Sequence, residues 1–320
     1  MNTEIELKFL VSAKRMALLA EQLMQFEVCQ HDHTFLSNTY FDTPNLDLSA
    51  LKAGLRIREQ NGQLEQTLKF AGHQVGGLHQ RPEYNLALAT PWPELGAFAR
   101  TVWPPDVKPA LIQAQLAPLF STDFMRQRWL INYHHTQIEL ALDVGEVKAA
   151  NAEPQPIQEL ELELVSGDVA QVFALAKQLA TLDGLRLSDV SKAQRGYRLA
   201  KLAPPLLPNT YPLAAIPDTR EELLKSLNQA IKHWQYHEQG WQENALDSPD
   251  SAWLNQWRLA VQWVHQALVA LQHSAFLDEL LWLQNKLAKA QALTALSESA
   301  RYAHLMLALS EYLYNQTAVG

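Results

Sequence analysis

The sequence predicts an α+β protein, an antiparallel β barrel followed by an all-helical segment. Three observations carry this. Up to about residue 202, short runs alternate polar and apolar residues with period two, separated by turn residues. Residues 203–217 contain five prolines and read as a linker. From Asp218 onward, apolar residues recur at helical spacing.

The first strand is expected at 3–11, where Glu4, Glu6 and Lys8 alternate with Ile5, Leu7 and Phe9. Side chains alternate faces along a strand, so one face holds two carboxylates and an ammonium while the other is apolar. A helix over 12–25 follows, then strands near 35–42, 54–59, 63–71 and 79–88. Asn61-Gly62 marks a tight hairpin and Gly76-Gly77 a second hairpin tip. Further strands are expected at 124–133, 136–143, 145–150 and 157–165, and a helix at 169–182. In the helical segment, Asp218 or Thr219 caps a helix carrying Leu223, Leu224, Leu227 and Ile231. A break at Asp247-Ser248-Pro249 precedes a helix with Trp253, Trp257, Val261, Val264 and Leu268. Two more helices are expected at 276–290 and 294–314. The domain reading is therefore 1–202, a linker at 203–217, and 218–320.

Charge segregates by strand. Bases crowd one face at Arg56 and Arg58 and again at Arg126 and Arg128, while acids crowd Glu4 and Glu6 and the run Glu159, Glu161, Glu163. Glu65, Thr67 and Lys69, Arg81 and Glu83, and Glu139 and Asp143 extend the pattern. One wet sheet face is the commoner cause of such alternation. The predominance of arginine over lysine in the basic strands argues instead for bidentate phosphate recognition. Eight or more strands with apolar backs can close, and the charged faces then line a lumen. Such a lumen needs counterions: divalent cations for the glutamates and an oligophosphate for the arginines.

Composition narrows the function. Hydrophobic residues make up 48% of the chain, enough for a substantial core. A net charge of −8 argues against a nucleic-acid or anionic-membrane binder. Cys29 is the only cysteine, which excludes an intrachain disulfide and suits a reducing compartment. The N-terminus lacks the pattern of a signal peptide and no apolar run reaches membrane-spanning length, so a soluble cytoplasmic protein is expected. No Walker sequence or GxSxG occurs. His31 and His33 flank Asp32 in an expected surface loop. His233 and His237 sit four apart without an HExxH pattern and read as interface residues, and Trp253, Trp257 and Trp263 read as core or an interdomain face.

Glu4-Ile5-Glu6-Leu7-Lys8 resembles the ExExK signature of CYTH domains, the triphosphate tunnel metalloenzymes. Gly54-Leu55-Arg56-Ile57-Arg58, Thr67-Leu68-Lys69, Gln80-Arg81-Pro82-Glu83-Tyr84, Leu142-Asp143-Val144-Gly145-Glu146-Val147, Glu159-Leu160-Glu161-Leu162-Glu163 and Ser191-Lys192-Ala193-Gln194-Arg195-Gly196-Tyr197 extend the resemblance over about residues 1–202. Their order is most similar to the bacterial inorganic triphosphatases with a CYTH domain and a CHAD-type helical domain. The resemblance implies an eight-stranded antiparallel tunnel that binds triphosphate compounds with Mg²⁺ or Mn²⁺. It implies metal binding by Glu4 and Glu6, joined by acids among Glu159, Glu161 and Glu163, with Asp143 a further candidate. It implies phosphate binding by Lys8, Arg56, Arg58, Lys69, Arg81, Arg126 and Lys192, with Glu4, Glu6, Lys8 and Lys192 carrying the reaction. Arg128 shares the parity of Arg126, which leaves two readings, a phosphate ligand or a partner for a glutamate.

The expected activity is metal-dependent hydrolysis of inorganic triphosphate to diphosphate and phosphate. The alternatives are cyclisation of ATP as in class IV adenylate cyclases, hydrolysis of thiamine triphosphate, and non-enzymatic polyphosphate binding. Residues 218–320 hold eleven acids against seven Lys and Arg and are shorter than a CHAD domain, so a packing or regulatory role is expected there rather than polyphosphate binding.

Overall fold

The computed structural model describes residues 2–210, 216–244 and 251–317. Ten strands form one antiparallel sheet: β1 (Asn2–Val11), β2 (Val28–Asp42), β3 (Ala53–Gln60), β4 (Gln63–Phe70), β5 (His73–Val75), β6 (Leu78–Leu88), β7 (Ala117–Tyr133), β8 (Thr136–Ala149), β9 (Gln155–Ser166) and β10 (Leu185–Leu187). Eight of them run β1-β9-β8-β7-β2-β3-β4-β6, and pairing of β6 with β1 closes the barrel. Short β10 extends from β1, and β5 from β6.

The helices are α1 (Ala13–Leu23), α2 (Asp47–Ala50), α3 (Pro109–Gln113), α4 (Val169–Leu179), α5 (Lys192–Leu199), α6 (Arg220–Asn244), α7 (Ala252–Ala270), α8 (Leu277–Lys289), α9 (Leu293–Ser297) and α10 (Ala300–Thr317). Apolar backs of β1, β8 and β9 (Leu7, Phe9, Leu140, Leu162) join α1 and α4 in one core, which continues through Leu227, Val264 and Leu309 of the helical segment. A separate cluster covers the outside of β3 and β4 with the segment around Leu95, Phe98 and Trp103. Inside the barrel, Leu36, Phe124, Val147 and Ile157 meet Leu199 of α5 and fill one end with apolar side chains.

Several expectations need correction. β2 begins at Val28 and β7 at Ala117, earlier than their alternation suggested. Most of residues 28–35 are exposed or half-buried, so no apolar period marks them. Asp32 therefore lies in a strand, where it accepts from Arg128, and His31 stacks on Trp129 at 5.0 Å. The two strands expected at 136–143 and 145–150 are the single strand β8. Gly145 is not a break but a close approach, since a Cβ there would fall 2.4 Å from the Cα of Phe124 on β7. The helix expected over 294–314 is two helices, because the Ser299 hydroxyl accepts from the Tyr302 N–H and restarts the chain as α10. Of the two candidate caps for α6, Thr219 accepts from the Glu222 N–H. Part of the proline-rich linker, residues 211–215, and the break at Asp247-Ser248-Pro249 lie outside the described residues.

Candidate functional site

The barrel encloses a cavity of about 930 Å³. Its wall is built by period-two alternation: Glu4, Glu6 and Lys8 point in from β1, while Leu7 and Phe9 are wholly buried in the outer core. Glu161 and Glu163 come from β9, Arg56 and Arg58 from β3, Lys69 from β4, Arg81 from β6, Arg126 from β7, and Lys192 from the first turn of α5. Antiparallel register sets Glu6 beside Glu163, Lys8 beside Glu161, and Glu4 beside Arg81.

One side of the wall is acidic. Glu4 lies 2.8 Å from both Lys69 Nζ and Arg81 Nε. Burial pushes its carboxyl up, but Lys69 and Arg81 together more than reverse this and bring it to about 2. Arg81 also reaches Glu6. For Glu6 burial dominates, reinforced by Glu4 and Glu161, and its carboxyl titrates above the ordinary range. Glu163 is pushed up to about 8 by burial and by Glu4, Glu139 and Glu6. Burial thus dominates at Glu6 and Glu163, whereas paired cations dominate at Glu4.

Deeper in, the acids are matched. Lys192 Nζ lies 2.8 Å from Asp143, 2.9 Å from Glu159 and 2.8 Å from Glu161. Arg126 pairs with Asp143 and Glu161 at 2.7 Å each. Despite burial, Lys192, Arg126 and Lys8 hold Glu161 well below the usual carboxylate range.

Across the cavity the balance inverts. Arg58 Nε donates to Asn38 Oδ1 at 2.9 Å, and among the described residues neither Arg56 nor Arg58 forms an ion pair. Arg56 Nε is buried without a hydrogen-bond partner. Burial, then Arg56 and Arg126, pull the Arg58 guanidinium down to about 9.

The structure thus brings eleven of the fourteen candidates to the cavity wall, namely Glu4, Glu6, Lys8, Arg56, Arg58, Lys69, Arg81, Arg126, Glu161, Glu163 and Lys192. Three stand apart. Asp143 and Glu159 are fully buried behind Lys192 and Arg126. Arg128 is 35% exposed, pairs with Asp32 and Glu139, and does not line the cavity. Sequence reasoning missed His79, which lines the cavity opposite Glu6 and shares the inward parity of Arg81. Burial, Arg81 and Lys8 press it down to about 3, so it stays neutral. The same reasoning placed Glu83 in the charged pattern without assigning it a role; Glu83 lies 2.6 Å from Lys69 on the same wall.

Among the described residues no three His, Cys, Asp or Glu side chains already converge as a metal seat. The donor chemistry nonetheless fits a hard divalent cation. The wall offers carboxylate oxygens, and burial, reinforced by neighbouring carboxylates, holds Glu6 and Glu163 above the ordinary range. The basic wall opposite fits phosphate oxygens for the complementary reason.

Comparison with known proteins places this architecture. The family model described as the CYTH domain matches residues 2–197 and leaves the helical segment unassigned. Over 199 residues the chain is 41% identical to an inorganic triphosphatase of Haemophilus influenzae. That match covers 62% of this chain and 55% of that protein, so the chain spans about half the length of its curated relative. A candidate adenylyl cyclase from Hippeastrum with a dominant triphosphatase activity aligns with a TM-score of 0.45 at 20% identity, over 61% of this chain and 95% of that one. A candidate adenylate cyclase from Bacillus halodurans aligns with a TM-score of 0.41 at 23% identity, over 61% and 98%.

Proposed function

The chain belongs to the CYTH domain family, and on that premise we propose that it hydrolyses inorganic triphosphate to diphosphate and phosphate inside the barrel, with Mg²⁺ or Mn²⁺ held by the carboxylate wall. One observation carries the reading. Two clusters of opposite sign face one cavity: Glu4, Glu6, Glu161 and Glu163 on one side, and on the other Arg56 and Arg58, which form no ion pair among the described residues. A cation-complexed chain of phosphates discharges both at once. The 41% identity to an inorganic triphosphatase supports the same substrate.

Arg56 and Arg58 present planar forks suited to two phosphate oxygens each, and Arg126, held on Asp143 and Glu161, adds positive charge beside them. Lys69 and Arg81, now on Glu4, Lys192, now on Asp143, Glu159 and Glu161, and Lys8, now on the Val190 carbonyl, add positive charge along the same path. Glu4, Glu6, Glu161 and Glu163 would hold the cation, while Asp143 and Glu159 keep Lys192 and Arg126 aimed inward. When bound, the divalent cation neutralises phosphate oxygens and acidifies water. The protein's own part is to hold the chain straight and to stabilise charge that spreads over the phosphoryl group as the bond to the leaving diphosphate loosens. Catalysis is assigned to Glu4, Glu6, Lys8 and Lys192. Residues 1–202 form the catalytic domain, 203–217 the linker, and 218–320 a helical domain that packs on it. The free, exposed Cys29 supports a reducing compartment, the cytoplasm.

Phosphate release from triphosphate, ATP and thiamine triphosphate, with a cyclic-AMP readout and with each metal or a chelator, tests the assignment. Triphosphate with Mg²⁺ or Mn²⁺ is expected to turn over fastest. Glu6→Gln is expected to lower turnover by ~10²–10³ with an unchanged circular dichroism spectrum. Wild-type turnover in that variant, or no release from triphosphate with either metal, would refute the reading.

A further inference from the structure

The turn between β5 and β6 leaves the barrel and seats in the helical segment. The Gly76 N–H donates to Asn228 Oδ1 of α6 at 3.2 Å, and Asn228 Nδ2 donates back to the Gln74 carbonyl at 3.2 Å. From α10, the Ser310 hydroxyl donates to the Gly76 carbonyl. The approach is backbone-close. At Gly76, φ is +57° and a Cβ would lie 2.7 Å from the Cα of Ser310, so any other residue would have to displace the helix. Val75 packs against the shared core beside the turn.

The same hairpin is cavity wall at its other end. His73, Gln74, His79 and Arg81 line the cavity, and the Gln74 side chain donates to Asp189 Oδ2, another lining residue, at 3.1 Å. Arg81 is bonded to both Glu4 and Glu6. β5 is only three residues long, and so short a ribbon holds its shape poorly unless something outside fixes it. The helices supply that support.

We propose that Asn228 and Ser310 are positioning residues for the reaction: α6 and α10 hold the β5–β6 turn, and the turn holds Arg81 against the Glu4–Glu6 pair. This rests on the triphosphatase reading and gives residues 218–320 a part in the site. Loosening the turn lets Arg81 drift, so the phosphate chain loses a ground-state contact and the paired carboxylates lose their shared partner.

The test uses the full chain carrying Asn228→Ala or Asn228→Asp. Asn228→Ala is expected to increase amide hydrogen exchange across residues 73–81 and at Glu4 and Glu6. It should also raise KM for triphosphate and weaken its calorimetric affinity roughly fivefold, as loss of a hydrogen bond predicts. The fall in kcat should be smaller, and the melting temperature should stay within a few degrees of wild type. Asn228→Asp keeps the acceptor for the Gly76 N–H and should recover part of the loss. A folded Asn228→Ala protein with wild-type KM, affinity and exchange overturns the proposal. If the wild-type chain does not turn over triphosphate, the triphosphatase reading falls. The exchange comparison then decides the clamp alone, upholding it if protection is lost and overturning it if protection is unchanged.

Discussion

Glu4 and Glu163 share one cavity wall and titrate in opposite directions. Both are penalised by burial, but Glu4 has Lys69 and Arg81 within bonding distance and falls to about 2. Around Glu163 the nearest charges are mostly carboxylates, and it rises to about 8. Partner supply, not residue type, sets each value. The same logic separates two arginines that look alike in sequence. Arg58 faces the cavity with a neutral amide partner, whereas Arg128, which does not line it, is satisfied by Asp32 and by Glu139 of the cavity wall. Arg58→Ala is therefore expected to raise KM for triphosphate by about tenfold or more, the worth of a charge-assisted contact, while Arg128→Ala changes it less than about twofold. Steady-state phosphate release on both variants checks this, and equal effects would contradict the placement of Arg128.

Among the elements, α5 does most with least length. Its eight residues place Lys192 against three carboxylates, Arg195 on Glu159, and the Tyr197 hydroxyl 2.9 Å from Asp42. The start of the helix is fixed by a capping box, in which Ser191 Oγ accepts from the Gln194 N–H and Gln194 Oε1 accepts from the Ser191 N–H. Ser191→Ala should destabilise the protein by ~1 kcal/mol, a melting shift of a few degrees by scanning calorimetry. No shift would mean that Lys192, rather than its cap, holds the helix in place. Elements differ in how legible they are from sequence. β1 and β9 put charge on one face and leucine on the other, so their alternation reads directly. The first half of β2 is wet on both faces and reads as loop, although its backbone pairs with β7 throughout.

At the scale of the molecule, the barrel and the helices share one apolar core, and polar contacts tie them across it: Lys177 to Glu311, Arg186 to Glu238 at 3.4 Å, and the β5–β6 turn to α6 and α10. His237 stitches the linker into this assembly. Its Nε2 accepts from the Asn209 N–H at 3.2 Å and its Nδ1–H donates to the His233 carbonyl at 2.8 Å, an arrangement only the neutral ring can make. Burial, with His233 nearby, lowers it from 6.5 to about 4. A depressed base stabilises the fold above its unfolded value, so this contribution is complete above pH 6.5 and is lost as pH falls toward 4. The difference in melting temperature between wild type and His237→Gln should accordingly shrink across that window, and a constant difference would show that the ring does not titrate there. The sequence by itself determined which residues share a face, because side chains alternate along a strand whatever the strand pairs with. It thereby announced the charged faces and most of the residues that line the cavity, while closure of the sheet into a tunnel was what the resemblance implied. Only the tertiary structure decided which charges neutralise one another, that Asp143 and Glu159 back the wall instead of forming it, that Arg128 lies outside it, and that the helices grip the hairpin bearing Arg81. Those outcomes depend on register between segments far apart in the chain, and no local pattern records the distance between Glu4 and Lys69 or between Gly76 and Ser310.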